Sequence, residues 1–182
     1  MNVRIIAGEF GGRKLTAPSG DRTHPMSERV RGALFNSLAE KVSGADVLDV
    51  FAGTGALGLE ALSRGAHSAY FVERDRVAWR ILTENIDSLG VADRTKLVRA
   101  NARSWVDTYG GEGFDLIFVD PPYHDPQFST VELISGLLKP GGTMILSHPG
   151  RGEVPIQNMN LFVVDSRSYG NAYLTFFHRK SA

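Results

Sequence analysis

The segment Val47-Leu48-Asp49-Val50-Phe51-Ala52-Gly53-Thr54-Gly55-Ala56-Leu57-Gly58 constrains the fold more than any other stretch of the chain. A short apolar run of strand type meets a glycine turn and passes directly into residues of helical period, which predicts a strand, a tight turn and a helix in succession. The same alternation continues from there. Strands are expected at Asp46–Phe51, Ser68–Glu73, Lys96–Ala100, Phe114–Asp120 and Thr143–Ser147, with helices between them at Ala56–Arg64, Asp75–Leu89, Ala102–Tyr109 and Ser129–Leu138. Strands separated by helices pair in parallel and are covered on both faces, so the class is α/β. Lys139-Pro140-Gly141-Gly142 supplies a stop for the last helix.

Two further strands, Leu161–Ser166 and Ala172–His178, are separated only by the turn-forming Arg167–Asn171 segment. No helix fits there, so an antiparallel hairpin should close a seven-stranded, mostly parallel sheet. Ahead of the sheet, Ser27 is placed to cap a helix reaching Leu38, with Val30, Ala33, Leu34 and Leu38 on one face. Arg4–Ala7 and Arg13–Ala17 flank Gly8, Gly11 and Gly12, which predicts a small β-hairpin arm. The expected division is an arm over residues 1–26 and a larger domain over 27–182.

At 182 residues with 42% hydrophobic content, the chain suits one core. Its 20 Lys and Arg balance 20 Asp and Glu, so any nucleic-acid contact must come from a local patch rather than from overall charge. There is no cysteine, which excludes disulfides, thiolate metal sites and cysteine nucleophiles. The histidines show no metal-ligand spacing, and no metal is expected. No signal-peptide core or long apolar run is present, so the cytoplasm is the expected compartment.

Gly53, Gly55 and Gly58 satisfy the G-x-G-x-x-G dinucleotide pattern, and Glu73 lies at the distance where an acid grips ribose hydroxyls. That pattern alone does not choose between a nicotinamide dinucleotide and S-adenosylmethionine. Asp49 tips the choice, because it places a carboxylate beside the turn where a cationic methionine moiety needs an anion and a pyrophosphate would be repelled. Asp49 read instead as a helix cap or loop acid, and Glu73 as a solvated strand-end acid or a cap, are the plainer alternatives. Asn101, at the end of the third strand, either pairs with an adenine edge or caps the following helix.

Phe114-Asp115-Leu116-Ile117-Phe118-Val119-Asp120-Pro121-Pro122-Tyr123 is the most specific feature of the chain. A buried strand ends in an acid, and two prolines fix the backbone that follows. The Asp120 carboxylate and the Pro121 carbonyl are thereby presented as acceptors with little freedom to move. An exocyclic amine has two hydrogens to donate and a lone pair delocalised into its ring. Accepting both hydrogens at fixed positions draws the nitrogen toward tetrahedral geometry and frees that lone pair, while Tyr123 stacks on the base. An ordinary Pro-Pro turn is the plainer reading.

With these segments in place, the chain resembles class I S-adenosylmethionine-dependent methyltransferases, and Asp-Pro-Pro-Tyr resembles their branch that methylates amines of nucleic-acid bases. Arg4-Ile5-Ile6-Ala7-Gly8, Gly11-Gly12-Arg13-Lys14-Leu15, Arg29-Val30-Arg31, Leu34-Phe35-Asn36 and Arg167-Ser168-Tyr169-Gly170 extend the likeness to the bacterial RsmD-type family. The resemblance implies a Rossmann-like class I methyltransferase fold and transfer of a methyl group to the 2-amino group of a guanine in 16S ribosomal RNA, within an assembling or assembled small subunit. The donor site is expected to comprise Asp49, Phe51, Gly53, Gly55, Glu73, Arg74, Asn101, Ala102 and Asp120, and the catalytic segment Asp120, Pro121, Pro122 and Tyr123. The chain departs from the family at Thr23-His24-Pro25-Met26-Ser27-Glu28-Arg29, where the usual pattern is Thr-Arg-Pro-Thr-x-Asp-Arg.

Arg4, Arg13, Lys14, Arg22, Arg29 and Arg31 form the local cationic excess and are expected to meet RNA phosphates. Because they lie outside the glycine-loop sheet, the arm is expected to serve RNA and not the donor. Three rival readings differ in what they require. A DNA or protein amino-methyltransferase shares the same acceptor chemistry and is separated by its polymer substrate. A nicotinamide-dependent oxidoreductase leaves Asp49 and Asp120 without a task. An RNA-binding assembly factor without turnover has no use for an intact donor loop.

Overall fold

The computed structural model describes residues 3–19, 26–150, 154–170 and 172–181. The main sheet is built from β3 (Asp46–Val50), β4 (Ser68–Glu73), β5 (Thr95–Arg99), β6 (Phe114–Val119), β7 (Leu138–Pro149), β8 (Leu161–Tyr169) and β9 (Ala172–Arg179). Its order is β5-β4-β3-β6-β7-β9-β8. The first five of these strands run parallel, and β9 enters antiparallel between β7 and β8. The expected α/β class, the parallel run and the closing hairpin are all present.

Strand alternation explains the two-sided core. On β3, Val47 faces one cluster while Leu48 and Val50 face the other; on β6, Leu116 and Phe118 face the first and Ile117 and Val119 the second. Period-2 residues that are apolar on both faces need cover on both faces. That cover comes from α1 (Glu28–Leu38), α2 (Ala56–Ser63) and α3 (Arg76–Leu89) on the first side, and from α4 (Ala102–Thr108) and α5 (Phe128–Ser135) on the second. Phe35 of α1 packs on Phe118 with ring centroids 5.4 Å apart. Burial of each such ring is worth about 1.5–3 kcal/mol. Among the described residues, no helix is long and apolar enough to cross a membrane.

Several boundaries shift from expectation for local reasons. Asp75 lies outside α3 and caps it, accepting from Ala78 N. α5 ends at Ser135 with Gly136 as its cap, three residues before the expected stop. Leu138 is fully buried against the sheet and pairs with Phe114, so β7 starts before the Lys139-Pro140-Gly141-Gly142 stretch. That stretch is a bulge within the strand, after which Thr143 pairs with Leu116.

Among the described residues of the arm, β1 (Val3–Arg4) and β2 (Lys14–Leu15) form the only ladder. Val3, Ile5 and Leu15 belong to the same core cluster as Leu34, Leu59 and Leu62. Polar contacts lock it down further: Ile6 N and Ala7 N donate to Glu60, and Phe10 N donates to Ser63 Oγ. The buried face of α1 is Arg31, Leu34, Phe35 and Leu38, whereas Val30 and Ala33, expected on that face, are only partly buried. Arg31 takes the seam because its guanidinium meets Glu60 and donates to Arg4 O.

Candidate active site

The glycine turn stands at the C-terminal end of β3, the central strand. Successive strands β4 and β5 lie on one side of β3, and β6 lies on the other. The chain reverses its direction of winding there, the kind of switch point outside which open α/β sheets take their ligands. Phe51 adopts φ +61° at the head of the turn, a left-handed conformation that costs a non-glycine residue about 1–2 kcal/mol. Hydrogen bonds from Ala52 N to Val72 O and from Gly55 N to Ala52 O hold it there. A Cβ on Gly55 would lie 2.2 Å from Leu82 Cδ1, and one on Gly58 would lie 2.3 Å from Phe71 Cε1. The second and third glycines therefore let α3 and β4 press against the turn.

Glu73, at the end of β4, accepts from Gly53 N at 2.8 Å through Oε1 and from Asp75 N at 2.7 Å through Oε2. It is thus both a brace for the turn and an acid beside it. Asp49 is only 1% exposed, and its Oδ2 accepts from Gly58 N at 3.0 Å, in the first turn of α2. Burial pushes its carboxyl well above the usual carboxylate range, opposed by the Gly58 N–H and reinforced by the negative charges of Asp120 and Glu73.

Asp120 follows the last residue of β6. Pro121 is buried, while Pro122 and Tyr123 are exposed. Asp125 N donates to Pro122 O at 3.0 Å and closes the turn. Burial pushes the Asp120 carboxyl up to about 6, with the Ser147 hydroxyl pulling the other way. Tyr123 keeps 43% of its surface open, and its hydroxyl lies 3.3 Å from Ser147 Oγ. Ser147 was missed in the sequence. Its signal was a polar residue ending the apolar run Thr143–Ser147, one position past Leu146, which pairs with Val119.

The remaining expected site residues divide. Asn101 is the cap of α4, its Oδ1 accepting from Arg103 N at 3.0 Å and Ser104 N at 3.3 Å. Ala102 is buried behind it, and Arg74 is exposed, its carbonyl accepting from Arg99 Nε. Of the arm cations, Arg4, Arg13, Lys14 and Arg29 are exposed. Arg4 pairs with Glu28 at 2.9 Å, and Arg13 donates to Ser88 O at 2.8 Å. Arg22 and His24 lie outside the described residues. Arg31 does not join the exposed group: it is 1% exposed and pairs with Glu60, so no phosphate reaches it.

The residues present fit S-adenosylmethionine. Asp49, Glu73 and Asp120 set three carboxyl groups at the same end of three adjacent strands, and the groups acting on the Asp49 and Asp120 protons include no cation. Such a set suits a ligand that brings its own positive charge and hydroxyl donors. It repels a pyrophosphate.

A family model described as conserved hypothetical protein 95 matches residues 3–178. The chain belongs to this family. It is 44% identical over 121 residues to the ribosomal RNA small subunit methyltransferase D of Escherichia coli, a match covering 66% of this chain and 60% of that protein. A putative rRNA methyltransferase of Bacillus subtilis is 29% identical over 183 residues, covering 98% of this chain and all of the relative. Among solved structures, a putative methyltransferase from Escherichia coli superposes with a TM-score of 0.89 at 32% identity, with both chains fully covered. The family membership and the methyltransferase fold agree with the resemblance drawn from the glycine turn, the Asp-Pro-Pro-Tyr segment and the arm.

Proposed function

We propose that the protein transfers a methyl group from S-adenosylmethionine to the 2-amino group of a guanine in 16S ribosomal RNA. The observation that carries this reading is the acceptor turn at Asp120 to Tyr123, set beside the glycine turn and the Asp49 and Glu73 carboxyls at one switch point of the sheet. The printed name of the Escherichia coli relative supports the choice of small-subunit RNA. A ribosomal substrate, free or in an assembling subunit, places the reaction in the cytoplasm.

Glu73 holds the donor through its ribose hydroxyls, and Asp49, buried and bonded to Gly58 N, braces the glycine turn on the side of the methionine moiety. Phe51, Gly53, Gly55, Arg74, Asn101 and Ala102 complete the wall. When bound, S-adenosylmethionine supplies an electrophilic methyl on a sulfonium. Asp120 and the Pro121 carbonyl accept the two amine hydrogens and aim the nitrogen lone pair. Transfer would form the nitrogen–carbon bond as the carbon–sulfur bond breaks to leave the neutral thioether S-adenosylhomocysteine, and Asp120 would take up the proton lost by the amine and pass it to solvent. Tyr123 offers its exposed ring as a stacking platform for a base that has left its helix, an extrusion that costs least in loop RNA. Arg4, Arg13, Lys14, Arg29 and Arg22 supply phosphate contacts, with the arm of residues 1–26 as the RNA-facing part.

The reading is tested by mapping methylated guanines in 16S RNA from cells with and without the protein, and by supplying purified 16S RNA, DNA and protein with labelled donor. Label on the guanine 2-amino group of 16S RNA is expected. Label only on DNA or protein would overturn the proposal. For the donor, Glu73→Ala should remove charge-assisted hydrogen bonds worth about 1.5–3 kcal/mol and weaken S-adenosylhomocysteine binding by an order of magnitude or more. Calorimetry reads this directly, and unchanged affinity would remove the ribose role.

The raised Asp120 carboxyl gives two pH signatures. Protonation converts an acceptor oxygen into a donor, so methyl transfer should rise with pH through about 6, and Asp120→Asn should lose that step. For stability the sign is opposite. The fold favours the neutral acid, so the contribution of Asp120 is fully present below the ordinary carboxylate range and is lost as pH rises through about 6. Asp120→Asn should therefore raise Tm by about 5 °C at pH 7.5 and leave it almost unchanged at pH 4. An equal effect at both pH values would show that Asp120 does not titrate as described.

A further inference from the structure

The arm and the glycine turn meet at one side chain. Asn85 of α3 is 2% exposed and makes three hydrogen bonds. Its Oδ1 accepts from Thr16 N at 2.7 Å, and its Nδ2 donates to Thr16 O and to Thr54 O, both at 3.0 Å. Thr16 belongs to the arm just past β2. Thr54 lies between the two glycines of the turn. One turn earlier on α3, Leu82 is seated against Gly55 so closely that no Cβ fits. One turn later, the Ser88 carbonyl receives the guanidinium of Arg13, an exposed arm cation. A single face of α3 therefore touches the turn, the arm backbone and a phosphate-seeking side chain in sequence.

An amide with both ends used in this way cannot let one partner move alone. Displacing the arm strand by an ångström breaks two hydrogen bonds at Thr16 and leaves a buried amide that must turn away from Thr54. The arm, expected to serve RNA and not the donor, is thus joined through Asn85 to the glycine turn. We propose that Asn85 is a positioning residue that links the arm to the glycine turn, so that RNA on the arm and donor on the turn strengthen each other's binding. The inference rests on the reading of the turn as a donor site and of the arm as an RNA contact. Linkage of this kind is reciprocal, so the factor by which RNA raises donor affinity equals the factor by which donor raises RNA affinity.

Hydrogen exchange on the unaltered chain tests it without any substitution. Saturating S-adenosylhomocysteine should slow exchange of the amides of residues 53–58 and also slow the Thr16 amide by about fivefold or more. The Phe10 amide, held by Ser63 away from α3, should not change. Slowing at 53–58 with no change at Thr16 overturns the linkage and leaves the donor site standing. No slowing at 53–58 overturns the donor reading and the linkage with it. In parallel, S-adenosylhomocysteine affinity is measured with and without a 16S RNA transcript. The ratio should be about fivefold or more in the parent and fall to one in Asn85→Ala. A purely structural role would lower both affinities and preserve the ratio, and that result would overturn the proposal. Failure of the transcript to bind at all would overturn the RNA role of the arm. If Asn85→Ala does not fold, the exchange measurement on the parent chain decides.

Discussion

Asp120→Ala should lower single-turnover methyl transfer to 16S RNA by about 10²-fold or more while leaving S-adenosylhomocysteine affinity within about threefold, the size of loss seen when one oriented hydrogen-bonding group is removed from a reacting centre. Asp120 sits after the last residue of β6 with buried Pro121 behind it, so its carboxylate is held by backbone and not by a flexible stem. Alanine removes the acceptor without altering the Pro-Pro turn or the glycine loop. The amine then keeps only the Pro121 carbonyl, and its lone pair stays in the ring. Asp120→Asn is the finer probe. Its side-chain carbonyl still accepts one hydrogen, so intermediate activity is expected, without the pH step. A parental rate in Asp120→Ala would sink the mechanism even if the protein is a methyltransferase.

Glu60→Ala should destabilise the fold by about 3–5 kcal/mol, because it leaves a buried arginine without its counter-ion. Glu60 is fully buried, and its carboxylate receives Ile6 N at 2.8 Å, Ala7 N at 3.2 Å and Arg64 Nε at 2.9 Å, with Arg31 Nε at 3.6 Å. Removing it strands the Arg31 charge and two arm N–H groups together. For a chain of this size the loss corresponds to a fall in Tm of about 10 °C. Urea denaturation and thermal melts read it, and exchange at Ile6 and Ala7 should accelerate before the rest of the core opens. Glu60→Gln keeps an acceptor but removes the charge, so its effect should fall between parent and alanine. A loss below about 1 kcal/mol would mean that the Glu60 contacts add little to what Val3, Ile5, Leu15 and the Ser63 and Asn85 hydrogen bonds already supply.

The segments of the proposed site are legible in the sequence because each is local. The turn at Gly53 to Gly58 follows an apolar strand directly, and Asp120 follows another. Asp75 and Ser27 are caps whose partners lie three residues on. Asn101 illustrates the limit of such reading. Strand-end placement was compatible with an adenine contact or a cap, and only the bonds to Arg103 N and Ser104 N show that its oxygen is used for capping. Ser147 was passed over because a serine closing an apolar strand has no meaning until the strand beside it is known.

The sequence by itself determined the α/β class, the parallel run, the hairpin at the C-terminal end, and the strand-end positions of the two segments proposed to carry the chemistry, since periodicity and turn residues act over a few positions. Tertiary structure decided what depends on partners far along the chain. Arg31 reads as one more arm cation until Glu60 draws it inside. The arm reads as an appendage until Glu60, Ser63 and Asn85 bond its backbone and its apolar residues enter the core. Asp49, Glu73 and Asp120 come from three different strands, and they are brought together only because β4 and β6 flank β3. The physical reason is common to all of these. Burial and electrostatic pairing depend on which groups face each other across the packed sheet and its helices, and the local spacing of residues along the chain does not contain that information.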